Sequence, residues 1–212
     1  LNNPRNIESC GPVEMSAHIS ESTFGRNDNV VLVGKDSIPD ALCSASIAGY
    51  LDAPILLSDK DELDEKLLSE LGRLHAKNIY VLSGDKLISR KVKDQLKAKG
   101  YNLYDYSGQD RYETSSKIAR FMNADKQFIL VSGQDFYDTP SISPYSYEKK
   151  IPILLTKKNS MPGHTYDLVK KDSSILAIGG DQTIASDVYS QLSKKKVKVD
   201  KIAGKDRFDT SV

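Results

Sequence analysis

The chain has 212 residues, of which 39% are hydrophobic and 28% charged, and its formal net charge is +1. This length is sufficient for two domains of ordinary size, each able to bury its own core. No apolar run approaches the length of a membrane span, and two cysteines are too few for a disulfide framework. The sequence therefore argues against a membrane-spanning chain and against a small disulfide-stabilised scaffold.

Short apolar strands alternate with helical patterns along the first half of the chain. The expected strands are NVVLVG (29–34), PILLS (54–58), NIYVLSG (78–84) and LYDYSG (103–108). The helices between them are DALCSASIAGYL (40–51), DELDEKLLSELGRLH (61–75) and SRKVKDQLKAKG (89–100). The strands are continuous apolar runs, which is typical of parallel strands covered on both faces.

The second half repeats this order. Its expected strands are QFILVSG (127–133), IPILLT (151–156), SILAIGG (174–180) and VKVDKIAG (197–204). Its expected helices are SISPYSYEKK (141–150), TYDLVKK (165–171) and ASDVYSQLSKKK (185–196). Each half should build its own sheet, so we predict an α/β fold of tandem three-layer modules, Rossmann-like or Toprim-like, with mainly parallel sheets.

A period of roughly a hundred residues underlies this order. Residues 83–115 and 179–211 are identical at 12 of 33 positions without a gap. The phrase SGQDRYETSSKIA at 107–119 returns as AGKDRFDTSV at 203–212, and a weaker copy at 9–20 carries Gly11-Pro12 in place of the Asp-Arg pair.

The repeated phrase divides the chain. A first repeat covers 1–104, a second covers 105–202, and 203–212 begins a third that the parent chain is expected to continue. Cys10 and Cys43 fall in unrelated parts of the first repeat, without redox or metal spacing, so we expect no bond between them.

The phrase at 107–119 has the residues of a helix N-terminus. Asp110 is a favourable N-cap, and Glu113 stands where a capping-box carboxylate reaches back. Arg111 is unusual, because a cation at this end of a helix opposes the macrodipole. Its return as Arg207 indicates pairing with a carboxylate or a phosphate. A structural salt bridge between repeats and contact with an anionic ligand are both open.

Several strands end in glycine-containing turns, where ligands bind in open parallel sheets. Asp36 and Asp40 lie in one such loop, and Asp135 and Asp138 lie in its copy. Such pairs can perform acid–base chemistry or cap helices, and capping is favoured because no nucleophile, metal cluster or matched histidine accompanies them. With no GxGxxG or P-loop phrase and no histidine pair at metal spacing, we expect no enzyme, no cofactor and no metal.

Charge is spread unevenly along the chain. Residues 1–119 hold 15 basic and 18 acidic residues, a net of −3, whereas residues 120–212 hold 15 and 11, a net of +4. The basic half could attract an anionic partner through Lys194, Lys195, Lys196 and Lys198 and through the lysine pairs at 149–150, 157–158 and 170–171. The alternative is that these are solvated lysines at helix ends.

Four phrases of this sequence occur together in one known family. GKDSIPDAL, PILL, SGDKLIS and GQDRYETS, in this order and with second copies, resemble the cell wall binding repeat 2 family of surface proteins from Gram-positive bacteria. The resemblance implies an exported protein at the cell wall or cell surface, held non-covalently by an anionic wall polymer such as a teichoic-acid-like glycan. It also implies three repeats in a pseudo-threefold assembly, surface-layer proteins as possible further partners, and no nucleic acid partner.

We therefore predict a non-catalytic anchoring module. The candidate polymer-binding residues are Arg111, Arg207, Asp110, Asp206, Lys194, Lys195, Lys196 and Lys198. Two alternatives are an enzyme on a Rossmann-like scaffold that acts on a phosphorylated or nucleotide substrate, and a scaffold that self-assembles in a surface lattice.

Overall fold

The structure is a computed structural model that describes residues 11–136 and 139–204. In this part of the chain the helices are α1 (Pro12–Thr23), α2 (Ile38–Leu51), α3 (Glu65–Leu74), α4 (Arg90–Ala98), α5 (Arg111–Phe121), α6 (Thr139–Lys149), α7 (Gly163–Leu168) and α8 (Ser186–Lys194). The strands are β1 (Asn29–Gly34), β2 (Ile55–Ser58), β3 (Asn78–Val81), β4 (Asn102–Asp105), β5 (Gln127–Ser132), β6 (Ile153–Thr156), β7 (Ser174–Ile178) and β8 (Lys198–Ile202).

The strands form two parallel four-stranded sheets. Their orders are β2-β1-β3-β4 and β6-β5-β7-β8, which are the same order in both repeats. The registers also correspond, since Val31 faces Ile55 and Tyr80, and Ile129 faces Ile153 and Leu176. The predicted α/β fold with parallel sheets is confirmed.

The described residues pack as two compact units. The first unit holds 11–37 and 52–105, and the second holds 38–51, 106–136 and 139–204. Helix α2 therefore belongs to the second unit, although it connects two strands of the first sheet. The repeat boundaries at 104 and 202 stay predictions, and 205–212, with the expected start of a third repeat, lie outside the described residues.

One face of the first sheet is covered by α1, α3 and α4. Their buried apolar side chains meet those of the strands in a single cluster that includes Val13, Leu32, Leu71, Ile79 and Leu96. In α3 the apolar positions recur at helical spacing, and Asp64 caps the helix by accepting from the amides of Lys66 and Leu67. The helix predicted over 61–75 therefore begins at Glu65.

The second sheet is covered on the corresponding face by α5, α7 and α8. Their cluster includes Ala119, Phe128, Leu168, Ile175 and Leu192. Helix α2 packs against α6 and α5 and also contacts β6. Eight consecutive residues of α2, from Leu42 to Gly49, are buried, which is expected only of a helix with neighbours on all sides.

The same serine position of both repeats bonds to an edge strand. The hydroxyl of Ser115 in α5 accepts from the amide of Leu155 at 3.2 Å, and Ser16 in α1 accepts from the amide of Leu57 at 3.0 Å. β2 and β6 are edge strands, so these amides point away from their sheets and would otherwise lack a partner. This bond accounts for the recurrence of the serine together with the PILL phrase.

Three local features bear on the sequence predictions. Cys43 is a free, buried thiol whose pKa is raised by burial, whereas Cys10 lies outside the described residues. No helix among the described residues has the length and apolarity that a membrane crossing requires. Within the same residues, no three His, Cys, Asp or Glu side chains are grouped so that they could hold a metal ion.

Candidate functional site

The carboxyl ends of β5, β6 and β7 form one edge of the second sheet. The chain leaves this edge through Gly133 after β5, Lys157 after β6 and Gly179 after β7. Because β6 lies on one side of β5 and β7 on the other, the strand order reverses here. This is the position at which open parallel sheets bind ligands.

Arg111, the first residue of α5, extends to this edge. Its Nη1 donates to the carbonyl of Gly133 at 2.8 Å, and its guanidinium carbon lies 5.4 Å from the centre of the Phe136 ring. Asp110 is the N-cap of α5 and accepts from the amide of Glu113 at 2.8 Å. The hydrogen bond to the Gly133 carbonyl fixes one end of the guanidinium. Other N–H donors of this exposed side chain remain available to a ligand.

Glu113 completes the predicted capping arrangement. Its carboxylate accepts from the amide of Gln109 at 2.6 Å and lies 3.6 Å from the ammonium of Lys117. The hydrogen bond from the backbone amide of Gln109, together with the positive charge of Lys117, lowers the pKa of Glu113 below its usual value. The capping box is therefore formed, although Glu113 reaches the residue before the N-cap rather than the N-cap itself.

We expect Glu113→Gln to lower the free energy of unfolding by about 1 kcal/mol at neutral pH, the scale of a helix-capping contact. Because the pKa of Glu113 is lower in the folded state than in the unfolded state, its ionised carboxylate stabilises the folded state at pH values above the unfolded pKa of about 4.3. This stabilisation is lost as the pH falls through the folded-state pKa. Denaturant unfolding of both proteins from pH 7 to pH 3 should therefore show a difference that shrinks below about pH 4. A constant difference would contradict a role for the carboxylate charge.

Gly133 brings the backbone of this edge against the α5 helix. A Cβ atom at Gly133 would lie 2.4 Å from Cε1 of Tyr112, so any larger residue would displace the tyrosine ring. The buried ring of Tyr112 in turn lies 5.8 Å from the ammonium of Lys157, and burial raises the pKa of its phenol. The close packing thus places Arg111 and Lys157 around the same glycine turn.

Lys158 is held by glutamines from both neighbouring loops. Its amide donates to Oε1 of Gln134 at 3.0 Å, and its ammonium donates to Oε1 of Gln182 at 3.5 Å. Its carbonyl accepts from the amide of Ala185 at 2.8 Å. The backbone of Lys158 is therefore well fixed, whereas its side chain is exposed.

Arg111, Lys157 and Lys158 form what we call the cationic edge. Among the described residues, no carboxylate lies within ion-pair distance of these three side chains. The nearby Asp181 is paired with Lys201 at 2.5 Å. The cationic edge therefore carries positive charge that this part of the chain does not neutralise.

The corresponding edge of the first sheet differs in this respect. By strand register, Lys35 corresponds to Gly133 and Asp59 corresponds to Lys157. Lys35 and Asp59 form an ion pair, and the hydrogen bond and charge of Asp59 raise the pKa of Lys35. The first unit thus neutralises the position at which the second unit has Lys157.

Lys194, Lys196 and Lys198 lie at the opposite edge of the second sheet, where β8 begins. The strand β5 has six residues, so the two edges are separated by roughly 17 Å, at about 3.3 Å per residue. Lys198 lies 3.3 Å from Asp200. The structure therefore does not bring these lysines together with Arg111.

Lys195 has a different environment from its neighbours. Its ammonium donates to the carbonyls of Tyr166 and Val169, the latter at 2.7 Å, and lies 3.8 Å from the centre of the Tyr166 ring. These bonds satisfy carbonyls at the end of α7 and stabilise the charge there. Its predicted polymer contact stays a prediction, as does that of Asp110, whose carboxylate caps α5. Asp206 and Arg207 lie outside the described residues.

The paired aspartates of the sequence analysis lie in different environments. Asp40 is buried in the first turn of α2, where the negative charge of a carboxylate interacts favourably with the helix dipole. Asp36 is exposed in the preceding turn, and Asp138 lies outside the described residues.

Taken together, the carboxyl edge of the second unit offers guanidinium, ammonium and amide donors, which suit a phosphate or carboxylate ligand.

Sequence reasoning placed Lys157 and Lys158 only in a general basic field, and it did not single out Gln134 or Gln182. A usable signal was present, since Lys157 and Lys158 directly follow the strand predicted over 151–156. Residues in that position lie at the ligand-binding edge of a parallel sheet. The lack of a carboxylate partner is not visible in the sequence alone. It follows from the strand register, which shows that Lys157 occupies the position of Asp59 in the first unit.

Comparison with known proteins gives consistent results. The model of the family described as cell wall binding domain 2 matches residues 12–93 and 106–189. N-acetylmuramoyl-L-alanine amidase LytC of Bacillus subtilis is 28% identical over 196 residues, which are 92% of this chain and 39% of LytC.

Two solved structures share the fold. Cwp8 from Clostridium difficile superposes with a TM-score of 0.88 at 30% identity, over 96% of this chain and 36% of that chain. Cwp6 from Clostridium difficile gives a TM-score of 0.86 at 28% identity, over 96% of this chain and 34% of that chain. The chain thus spans little more than a third of each of these proteins.

Proposed function

The chain belongs to the cell wall binding domain 2 family, and we propose that it anchors its parent protein to the cell wall without catalysis, by binding an anionic wall polymer. Two repeats match the family, which supports wall binding and a location at the cell wall or cell surface. The similarity to Cwp6 and Cwp8 is consistent with this location, and an origin in a Gram-positive bacterium and partnership with surface-layer proteins are further parts of the proposal.

The cationic edge is the observation that carries this proposal. Three cations, Arg111, Lys157 and Lys158, lie at the loops after β5, β6 and β7, and no carboxylate among the described residues pairs with them. Keeping like charges close without a counterion is unfavourable, and a bound phosphate or carboxylate would relieve this cost. A polymer with regularly spaced anions would supply such a group.

The amino-edge lysines are proposed as secondary contacts. Lys194, Lys196 and Lys198 are exposed and lie roughly 17 Å from the cationic edge, so one anionic group cannot bridge both edges. A polymer chain can contact both. Weak contacts at several points of one polymer, including those of a proposed third repeat with Asp206 and Arg207, would raise the overall affinity.

Catalysis is assigned to no part of the described chain. The amidase name belongs to LytC, of which this chain covers 39%. The guanidinium and the two ammonium groups of the cationic edge suit the binding of an anion. The alternative of an enzyme for phosphorylated or nucleotide substrates would require turnover of such a compound by the purified chain.

The direct test is retention on purified walls across a series of salt concentrations. We expect retention to weaken about tenfold between 50 mM and 500 mM sodium chloride, because screening shortens the range of charge–charge attraction from about 14 Å to about 4 Å. Walls extracted to remove their anionic polymer serve as the control and should retain little protein at any salt concentration.

Two outcomes would contradict the proposal. Retention that is independent of salt would exclude an electrostatic contact. Equal retention on walls with and without the anionic polymer would assign binding to another wall component. If the chain instead sediments as large assemblies without any wall present, the self-assembling scaffold would be the better account.

A further inference from the structure

The first unit carries an uncharged polar and aromatic surface that the cationic edge does not involve. Asn29, Asn78 and Asn102 lie side by side on β1, β3 and β4, in register. Tyr80 and Tyr104 lie two residues further along β3 and β4, and therefore on the same face of the sheet. We call these five residues the Asn–Tyr surface.

The three asparagines form a hydrogen-bonded ladder. Nδ2 of Asn78 donates to Oδ1 of Asn29 at 3.0 Å, and Nδ2 of Asn102 donates to Oδ1 of Asn78 at 3.1 Å. Each amide is thereby fixed in orientation. Within the described residues, Nδ2 of Asn29 and Oδ1 of Asn102 have no protein partner, so the ladder ends with a free donor and a free acceptor.

The two tyrosines continue the same surface. Their rings are stacked, with centres 5.1 Å apart and planes inclined by 21°. Tyr80 is buried, whereas Tyr104 on the edge strand β4 is 44% exposed. The stacked partner holds the exposed ring in one orientation, which lowers the entropy cost of using it as a binding platform.

The fold does not require these residues. In the second unit the same register positions of the ladder are occupied by Gln127, Ser174 and Lys198. The tyrosine positions are occupied by Leu176 and Asp200. Since both sheets have the same strand order and register, the Asn–Tyr surface is a property of the first unit that strand pairing alone does not explain.

We propose that the Asn–Tyr surface binds uncharged sugar rings of the wall glycan. Amide groups donate and accept hydrogen bonds without charge, as neighbouring sugar hydroxyls require, and an aromatic face fits the apolar C–H face of a pyranose ring. The five side chains carry no charge, so they suit a neutral sugar better than a phosphate. This inference rests on the proposed function in that the sugar is taken to belong to the wall.

The test uses the 15N-labelled chain in 0.5 M sodium chloride, where the cationic edge is screened. The probes are two neutral oligosaccharides, the tetramer of N-acetylglucosamine and maltotetraose. We expect one of them to shift the side-chain amide signals of Asn78 and Asn102 in a saturable way. Tyr104→Asp and Asn102→Lys should each weaken this binding about tenfold, the scale of one stacked or hydrogen-bonded contact.

The variants are chosen so that folding is preserved. Each introduces the residue that the second unit has at the same register position, Asp200 or Lys198. Tyr145→Ala removes another exposed tyrosine, in the second unit, and should leave sugar binding unchanged.

Three results would overturn the inference. They are absence of shifts with both oligosaccharides, shifts that persist equally in Tyr104→Asp, and shifts caused by protein concentration alone, which would assign the surface to contacts between copies of the chain. Wall retention at low salt is measured separately. Loss of salt-dependent retention would contradict the proposed function without affecting the sugar titration, so the two failures are distinguishable.

Discussion

Replacement of Gly49 by alanine should destabilise the second unit by about 2 kcal/mol or more. A Cβ atom at this position would lie 2.0 Å from the carbonyl oxygen of Tyr147, so α2 and α6 must separate to accept it. Overpacking against backbone costs about 3 kcal/mol, and the better helix propensity of alanine returns about 1 kcal/mol. Thermal and denaturant unfolding would measure the loss, with a melting temperature lower by about 5 °C.

Gly72→Ala is the matched control. Gly72 also lies inside a helix, α3, but a Cβ atom there would have no heavy atom within 4 Å. Without a clash, only the propensity term acts, and the variant should be more stable by about 0.5–1 kcal/mol. If Gly49→Ala were as stable as Gly72→Ala, the close approach of α2 and α6 would be incorrect.

The contrast between these two glycines shows what sequence can and cannot predict about the fold. The helix over 40–51 was predicted from its position between two strands, and its small and apolar residues indicate burial on all sides. Its packing partner, α6, lies about a hundred residues later in the chain. Helix periodicity carries no information about which distant helix fills the other face, so membership of α2 in the second unit was not predictable.

Strand prediction succeeded for a related physical reason. The runs at 29–34 and 127–132 are apolar without alternation because both faces of a central parallel strand are buried. The edge strands were harder to delimit, since β4 is largely exposed and ends at Asp105, three residues before the predicted end. An exposed strand lacks the apolar signal on which the prediction depends.

The candidate site was predicted in part. The helix start at Asp110 and Arg111 followed from capping rules, and the structure places Arg111 at the carboxyl edge of the second sheet. Its contacts with the carbonyl of Gly133 and the ring of Phe136 arise from a turn more than twenty residues later. Counting charge along the sequence joined Arg111 with Lys198, but charge counts ignore that α5 begins at one edge of the sheet and β8 at the other.

Simultaneous replacement of Arg111, Lys157 and Lys158 by alanine should reduce the affinity for polymer-bearing walls by about a hundredfold at physiological salt. Each charge-assisted contact is worth about 1.5 kcal/mol or more, which is roughly tenfold, and three contacts with one ligand are not fully additive. The melting temperature should change little, because these side chains are exposed and water can replace the bond of Arg111 to Gly133. Binding is measured by sedimentation with walls, and stability by a thermal melt.

The triple variant Lys194→Ala, Lys196→Ala, Lys198→Ala removes the same charge from the opposite edge of the same unit. Its affinity should fall by about threefold or less, because roughly 17 Å exceeds the screening length of about 8 Å at physiological ionic strength. An equal loss in both variants would show that net charge, not the cationic edge, determines retention. A lower melting temperature with unchanged affinity in the first variant would instead assign Arg111 to the architecture of the second unit, since a removed structural contact destabilises folding without affecting the ligand.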